Sequence, residues 1–287
     1  MVARVTSVQL DEYREASRKA WETVAPGWTG RAEQMFEWGR GVTEQMLEAL
    51  DARPGQTILE LAAGAGDTGF LAAAQIGPSG RVVLTDFAPT MVDAARRRAA
   101  LLGVDNVEFR IVDAERLDLE NDCVDGILCR WGYMLMAEPA AAFSESRRVL
   151  RPGGRLVFSV WGEPARNPWA SLVGALLVEA GHLPPLEPET PGIFALADRG
   201  RIARLLTGAG FDRHELDEVD APIRFQDFPD YWDWVVHAAG GLSITISELA
   251  GPEREALRAQ VERAVADYAD SHGELLFPGV ALNVLAR

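Results

Sequence analysis

Hydrophobic and polar positions along the chain follow two spacings, one suited to buried strands and one to helices packed on them. Short apolar runs at Ile58–Leu61, Arg81–Asp86, Asn106–Val112, Val124–Cys129 and Arg155–Val160 read as strands. Pro89–Leu102 and Ala137–Leu150 carry apolar residues at helical spacing, and Phe70 and Leu71 resume an apolar face after a glycine turn. Strand and helix therefore alternate, which predicts an α/β fold with a parallel sheet, helices on both faces and a ligand crevice at the strands' carboxyl ends. Ahead of this core, Asp11–Ala25 sets Tyr13, Ala16, Ala20, Trp21 and Val24 at helical spacing and stops at Pro26-Gly27. A second helical stretch holds Met35, Phe36 and Trp38, and Gly41–Leu50 is a third. This aromatic-rich start suits core packing or a cap over a pocket. Beyond Trp161, Pro168–Ala180 and Asp198–Ala209 read as helices around a proline-rich loop, His182–Pro191. Phe211–Ile223 and Leu275–Val284 read as strands, the second broken by Pro278-Gly279 as an edge or bulge permits. Between them lie Tyr231, Trp232 and Trp234, a Gly240-Gly241 break and the helix Pro252–Tyr268.

The stretch Ile58–Phe70 (ILELAAGAGDTGF) joins the first strand to its helix through Gly64 and Gly66. A reversal this tight, with a ligand lying against backbone, excludes a Cβ, and the helix start offers free N–H groups. Gly64 to Gly69 also satisfies GxGxxG, but Asp67 would set a carboxylate where a dinucleotide needs its pyrophosphate. With Glu60 just before the turn, two acids favour a ligand carrying ammonium or sulfonium charge. Asp86 ends the second strand about twenty residues after Gly66, the spacing at which a carboxylate meets ribose hydroxyls; capping the following helix is the alternative role. Phe87 and Met91 can supply flat or polarizable surface to a purine, and Asp113 can accept from an exocyclic amine.

Size and charge narrow the classes. With 287 residues and 48% hydrophobic content the chain can bury a full α/β core. A formal charge of -15 disfavours nonspecific contact with nucleic acid or anionic membrane. The one basic cluster, Arg96-Arg97-Arg98, reads as an exposed helix face near a C-terminus. Cys123 and Cys129 stand six positions apart on an extended run, roughly 20 Å and beyond disulfide reach, so reduced core cysteines are expected and no metal site. No secretory segment and no membrane-spanning run is found, which sets a cytoplasmic expectation. Oligomeric state is not read from the chain, and a homodimer is compatible with it.

Four segments in order, ILELAAGAG, VVLTDFAPTMVDAARRR, VEFRIVDAERL and FSESRRVLRPGGRLVFSVW, resemble the class I S-adenosylmethionine-dependent methyltransferases, most of all the ubiquinone and menaquinone biosynthesis enzymes. The resemblance covers residues 40–162 closely. It implies a Rossmann-like, doubly wound, seven-stranded sheet whose last strand is antiparallel, with a helical N-terminal cap and helical lid insertions. On that reading 1–287 is a single domain: cap 1–40, cofactor-binding core 41–162, lid additions 163–197 and 225–272, and final strands 211–223 and 275–284. The implied cofactor is S-adenosyl-L-methionine. Ala62 to Gly66, with Gly64, would pass under its methionine moiety, and Glu60 would hold the amino group. Asp86 would bind the ribose, Phe87 and Met91 would flank adenine, Asp113 and Ala114 would read its amine edge, and Arg130 would reach the methionine carboxylate. Ala62 stands where the family usually has glycine and crowds the turn. RWGYMLM, after the fourth strand, lacks the family's common histidine and leaves acceptor chemistry open.

Methyl transfer from a sulfonium needs alignment and a dry pocket more than a base. Trp28, Trp131, Tyr133 and Trp161 can wall an apolar acceptor (a quinone, polyketide-like, aromatic or lipid-like molecule) or simply pack the core. Among His182, His214, His237 and His272, the best placed to face a pocket is His237, on the aromatic helix with Trp234; it is the one candidate base, and the catalytic residue is otherwise left open. The rival readings are an NAD-dependent oxidoreductase and a noncatalytic S-adenosylmethionine-binding regulator.

Overall fold

The computed structural model describes residues 7–185 and 190–287, so 1–6 of the expected cap and 186–189 of the proline-rich loop lie outside the described residues. Five parallel strands form the core: β1 (Thr57–Glu60), β2 (Arg81–Asp86), β3 (Val107–Ile111), β4 (Val124–Arg130) and β5 (Leu150–Trp161). β6 (His214–Asp220) and β9 (Val280–Ala286) complete a seven-stranded sheet in the order β3-β2-β1-β4-β5-β9-β6, with β9 antiparallel to both neighbours. The strand order reverses between β1 and β4, which places the crevice at the carboxyl ends of those two strands. Ile58, Leu59, Val82, Val83, Leu84, Ile127 and Leu128 are buried, as unbroken apolar runs covered on both faces require.

The core helices are α3 (Asp67–Ile76), α4 (Pro89–Leu102) and α5 (Pro139–Val149), and each follows its strand in the order expected. Later come α6 (Pro168–Glu179), α7 (Arg199–Gly208), α8 (Phe228–His237), α9 (Gly241–Glu248) and α10 (Gly251–Ala264). The two late strands are shorter than their apolar patterns. Each divides, so that β7 (Ile223–Phe225) and β8 (Leu275–Phe277) leave the sheet as a separate two-stranded ribbon. The division occurs where Ala221 N donates to Gly279 O at 2.8 Å, and any side chain at 279 would collide with the Ala221 carbonyl.

The N-terminal part departs from its pattern. α1 (Ser7–Gly30) runs through Pro26 and Gly27 instead of stopping there, and α2 (Ala32–Leu50) merges two expected stretches across Gly41. Packing overrides the local breakers. Gly27 lies against the backbone of His237 where no Cβ fits, so α8 holds that turn of α1 in place. Gly39 likewise admits the side chains of Arg130 and Trp131 beneath α2. α1 also rests on α4 and α9, which connects it to both the core and the late helices. Among the described residues no helix is long and apolar enough to cross a membrane.

The two glycines of α2 should respond oppositely to one methyl group. Gly41→Ala, exposed with open space around it, should stabilise the fold by roughly 0.5–1 kcal/mol through the unfolded chain. Gly39→Ala should cost about 1–3 kcal/mol, because its Cβ would press on Arg130 and stand 2.9 Å from Trp131 Cη2. Urea unfolding of both variants measures the contrast; equal effects would mean that α2 does not sit tightly on β4.

Candidate active site

The polar residues singled out above converge on one rim. Glu60 ends β1, Asp86 ends β2, Arg130 ends β4 and Trp161 ends β5, while Asp113 lies two residues beyond β3. These strands are parallel, so all five positions fall on the same edge of the sheet.

Asp86 ties two strand-to-helix turns together. Its Oδ2 accepts from Gly64 N at 2.9 Å and its Oδ1 from Ala88 N at 2.9 Å. It thus closes the turn that enters α4, whose N-cap is Ala88 and carries no side-chain cap, and braces the glycine turn as well. Burial raises its pKa, and the two amides work against that rise. Beneath it, Thr85 Oγ1 donates to Glu60 O at 2.7 Å. Gly64 and Gly66 have φ of 55° and 90°, the left-handed region that glycine enters freely. Ala62 is there too, at 50°, a strained choice for a residue with a Cβ. Its methyl is accommodated because position 132 across from it is glycine, where a Cβ would stand 2.6 Å away.

Glu60 is 2% exposed, and its Oε2 has no hydrogen-bond partner. Burial pushes its pKa up to about 8, against the pull of Arg130. Arg130 is also buried, which lowers its pKa against the pull of Asp67 and Glu60. Its Nη1 is without a partner, and its Nη2 is 3.9 Å from Asp67 Oδ2. A carboxylate and a guanidinium thus stand at adjacent strand ends, each with a buried atom unbonded.

Arg98 corrects the reading of the basic cluster. Arg96 does lie outward, pairing with Asp93 at 2.6 Å, but Arg98 turns in beneath the glycine turn. It donates to Ala65 O at 2.7 Å and to Asp67 Oδ1 at 2.6 Å. The acid at the start of α3 is therefore neutralised by a side chain thirty-one positions away. A run of three arginines does not reveal which one points inward; the helical phase set by Met91, Ala95 and Ala99 is the available signal.

A pocket of about 220 Å³ opens beside these residues. Phe87, Ile111 and Asp113 line it from the sheet, and Asp11, Arg14, Glu15 and Arg18 line it from α1. Ala114 is buried behind Asp113, whose Oδ1 accepts from Glu115 N at 2.9 Å. Met91 is also buried, packed with Ala25 and Ala88 behind Phe87 and Trp28. Trp28 stands over the turn, its Nε1 3.5 Å from where a Cβ on Gly64 would be.

The aromatic residues divide. Trp131 has φ of 62°, a true outlier for a bulky side chain, and its ring lies between the Arg130 guanidinium at 4.7 Å and Trp161 at 4.5 Å. Its Nε1 is buried without a partner. Tyr133, expected on a pocket wall, is instead a core residue: fully buried, stacked on Phe143 at 4.2 Å, its hydroxyl 2.6 Å from Ser146 Oγ. The short turn after β4 drives it back under the sheet. His237 is also corrected. Its side chain is 61% exposed and pairs with Asp233 at 3.0 Å on the outer face of α8, because Tyr231, Trp234, Val235 and Ala238 take the inner face.

This geometry agrees with comparison to known proteins. The family described as "Methyltransferase domain" matches residues 52–170. The chain is 32% identical to the ubiquinone/menaquinone biosynthesis C-methyltransferase UbiE of Cupriavidus metallidurans, over 60% of this chain and 74% of that one. It is 39% identical to an arsenite methyltransferase of Halobacterium salinarum, over 37% of this chain and only 27% of that enzyme. The fold matches a SAM-dependent methyltransferase from Aquifex aeolicus with a TM-score of 0.51 and 20% identity, covering 68% of this chain and 92% of that one. The chain belongs to the class I S-adenosylmethionine-dependent methyltransferases, and among them it is similar to the quinone-biosynthesis enzymes. S-adenosylmethionine is its cofactor.

Glu60 leads to a pH prediction. The folded protein keeps the Glu60 proton until about pH 8, whereas the unfolded chain releases it near 4.5. The folded state binds more protons across that window, so stability falls as pH rises through it, and Asp86 acts in the same direction. Urea unfolding of the cofactor-free protein should show this decline, and Glu60→Gln should flatten it. A wild-type stability that rises between about pH 5 and about pH 8 would contradict the burial of an uncompensated Glu60.

Proposed function

We propose that the protein methylates a small, largely apolar metabolite, and that the site residues divide the cofactor as follows. Glu60 and Arg130 hold the two charged ends of the methionine moiety, Asp86 the ribose, and Phe87 and Asp113 the adenine, with Met91 and Ala114 buried behind them as support. The observation carrying the cofactor assignment is the pair of unbonded atoms, Glu60 Oε2 and Arg130 Nη1. Opposite charges buried without hydrogen bonds are costly, and an ammonium and a carboxylate on one ligand would satisfy both. Gly64 carries no side chain at the turn and has only Trp28 Nε1 nearby, whereas at Gly66 the Phe70 ring fills the space a Cβ would take.

When bound, the cofactor supplies an electrophilic methyl group on a sulfonium. The protein's part is to align and to exclude water. Charge is dispersed during transfer from a sulfonium, so a dry site without added charge favours the reaction. Trp28 over the turn, and Trp131 stacked on Trp161, support an apolar or aromatic acceptor lying against indole faces. His237, on the outer face of α8, is dropped as the base, so the acceptor is one whose own atom is nucleophilic or readily deprotonated. The acidic chain favours a small molecule over nucleic acid. An NAD-dependent oxidoreductase is disfavoured by the methyltransferase family to which the chain belongs and not by Asp67, since Arg98 already offsets the charge of Asp67 in the first turn of α3.

Titration calorimetry with S-adenosylhomocysteine tests the site assignment. Wild type should bind, and Glu60→Gln and Asp86→Asn should each weaken binding at least about tenfold, the cost of one charge-assisted hydrogen bond. Unchanged affinity in both variants would refute the residue roles. Incubation with S-adenosylmethionine and a panel of quinols, phenols and acidic metabolites should show transfer to the apolar aromatic members; methylation confined to the acidic ones would refute the acceptor class.

A further inference from the structure

α1 contributes more than coverage. Four of its side chains line the pocket that Phe87 and Asp113 form on the sheet side. It reaches that position through one arginine. Arg14 Nε and Nη2 donate to Glu115 Oε2 at 2.9 and 2.5 Å, Nη2 also reaches Glu138 Oε2 at 2.5 Å, and Nη1 donates to Asp11 at 2.8 Å. Glu115 and Glu138 belong to the loops that follow β3 and β4, so one guanidinium pins the helix to two loops of the ligand rim. Glu115 is 6% exposed, and its other oxygen accepts from Ala137 N at 2.7 Å. Its own amide donates to Asp113, the residue facing the pocket. A second contact lies one residue away, where Tyr13 Oη donates to Leu135 O at 3.0 Å. Burial and hydrogen bonding fix both partners: burial alone would weaken the charge on Arg14, yet its carboxylate neighbours hold it firmly protonated.

We propose that α1 is the second wall of the nucleoside subsite and that Arg14 is the positioning residue which sets that wall against Asp113 and Phe87. The inference rests on the cofactor reading above and adds residues that reading does not contain. Breaking the Arg14 clasp lets α1 lift from the pocket, which loosens the purine and ribose while leaving the contacts to the methionine end intact. The effect therefore falls on any ligand with an adenosine part, whether or not it carries an amino acid.

Two probes separate the subsites: S-adenosylhomocysteine, and 5′-methylthioadenosine, which lacks the amino acid. Calorimetry well below the melting temperature should find Arg14→Gln weakened at least about tenfold for both, by a similar factor. Arg130→Gln should weaken the first probe and spare the second. Arg14→Lys, which keeps the charge but cannot bridge two carboxylates as a fork, should fall between wild type and Arg14→Gln. Glu138→Gln removes one arm of the clasp at a half-exposed position and should give a smaller loss in the same direction, which keeps the test open if Arg14→Gln folds poorly. Arg96→Gln, an outward arginine of α4, should change neither affinity. Hydrogen exchange adds an independent readout: α1 amides should gain protection with methylthioadenosine in wild type and not in Arg14→Gln. Unchanged affinities in Arg14→Gln and Glu138→Gln, even with a lowered melting temperature, would overturn the proposal. Loss confined to S-adenosylhomocysteine would also overturn it, and a wild type that binds neither probe would remove the cofactor reading and this inference together.

Discussion

An acid and a guanidinium placed out of water at neighbouring strand ends, without a hydrogen bond between them, are the constraint on which the rest of this structure depends. A buried carboxylate or guanidinium is tolerated only with a partner, and removing such a group from water costs several kcal/mol. Glu60 responds by holding its proton, and Arg130 by leaning on Asp67 and on the face of Trp131. Neither response gives Glu60 Oε2, which lies against Gly69 of α3, or Arg130 Nη1, which lies against Gly39 of α2, a hydrogen-bond partner. Stability is given up at a rim where the topology brings strand ends together, and the proposed role of Glu60 and Arg130 is to meet a zwitterionic ligand there. Arginine suits this position better than lysine, since its guanidinium resists deprotonation on burial and can stack on an indole.

The surrounding structure holds that rim rigid. Asp86 fastens the turns after β1 and β2 to each other, and Arg98 fastens the glycine turn to α4. Strain collects in the same place. Ala62 and Trp131 both take left-handed backbone conformations, and both lie next to Gly132, which has no side chain to resist them. Such conformations persist only where the packing around them over-determines the backbone. Here the Trp131 ring is fixed between Arg130 and Trp161, and β5 supplies the carbonyl that accepts from Trp131 N at 2.8 Å. Strain and unsatisfied charge thus coincide at the crevice and not in the sheet below it.

Much of this was legible in residue order. The five core strands and their helices follow apolar period and glycine punctuation closely, because a parallel strand buried on both faces has few other ways to be written. The acids at strand ends could be placed on one rim for the same reason: once the strands are parallel, every carboxyl end shares an edge. Local signals failed where tertiary contacts outweighed them. Pro26-Gly27 reads as a stop and Gly41 as the start of a separate helix, yet α1 and α2 run through, since Gly27 and Gly39 serve close packing against α8 and β4. Tyr133 and His237 were misplaced for a related reason. An aromatic or imidazole near a crevice in sequence carries no record of which way a short turn or a helical phase will aim it.

Residue order by itself determined the α/β alternation, the glycine turn and the line of acids at the strand ends, because each depends on spacing within a single strand-turn-helix unit. Only the tertiary structure decided which charges are paired. Arg98 with Asp67, and Arg14 with Glu115 and Glu138, join residues far apart in the chain. An ion pair forms wherever the fold brings two side chains within a few ångströms, and nothing in the local pattern of either residue encodes its partner.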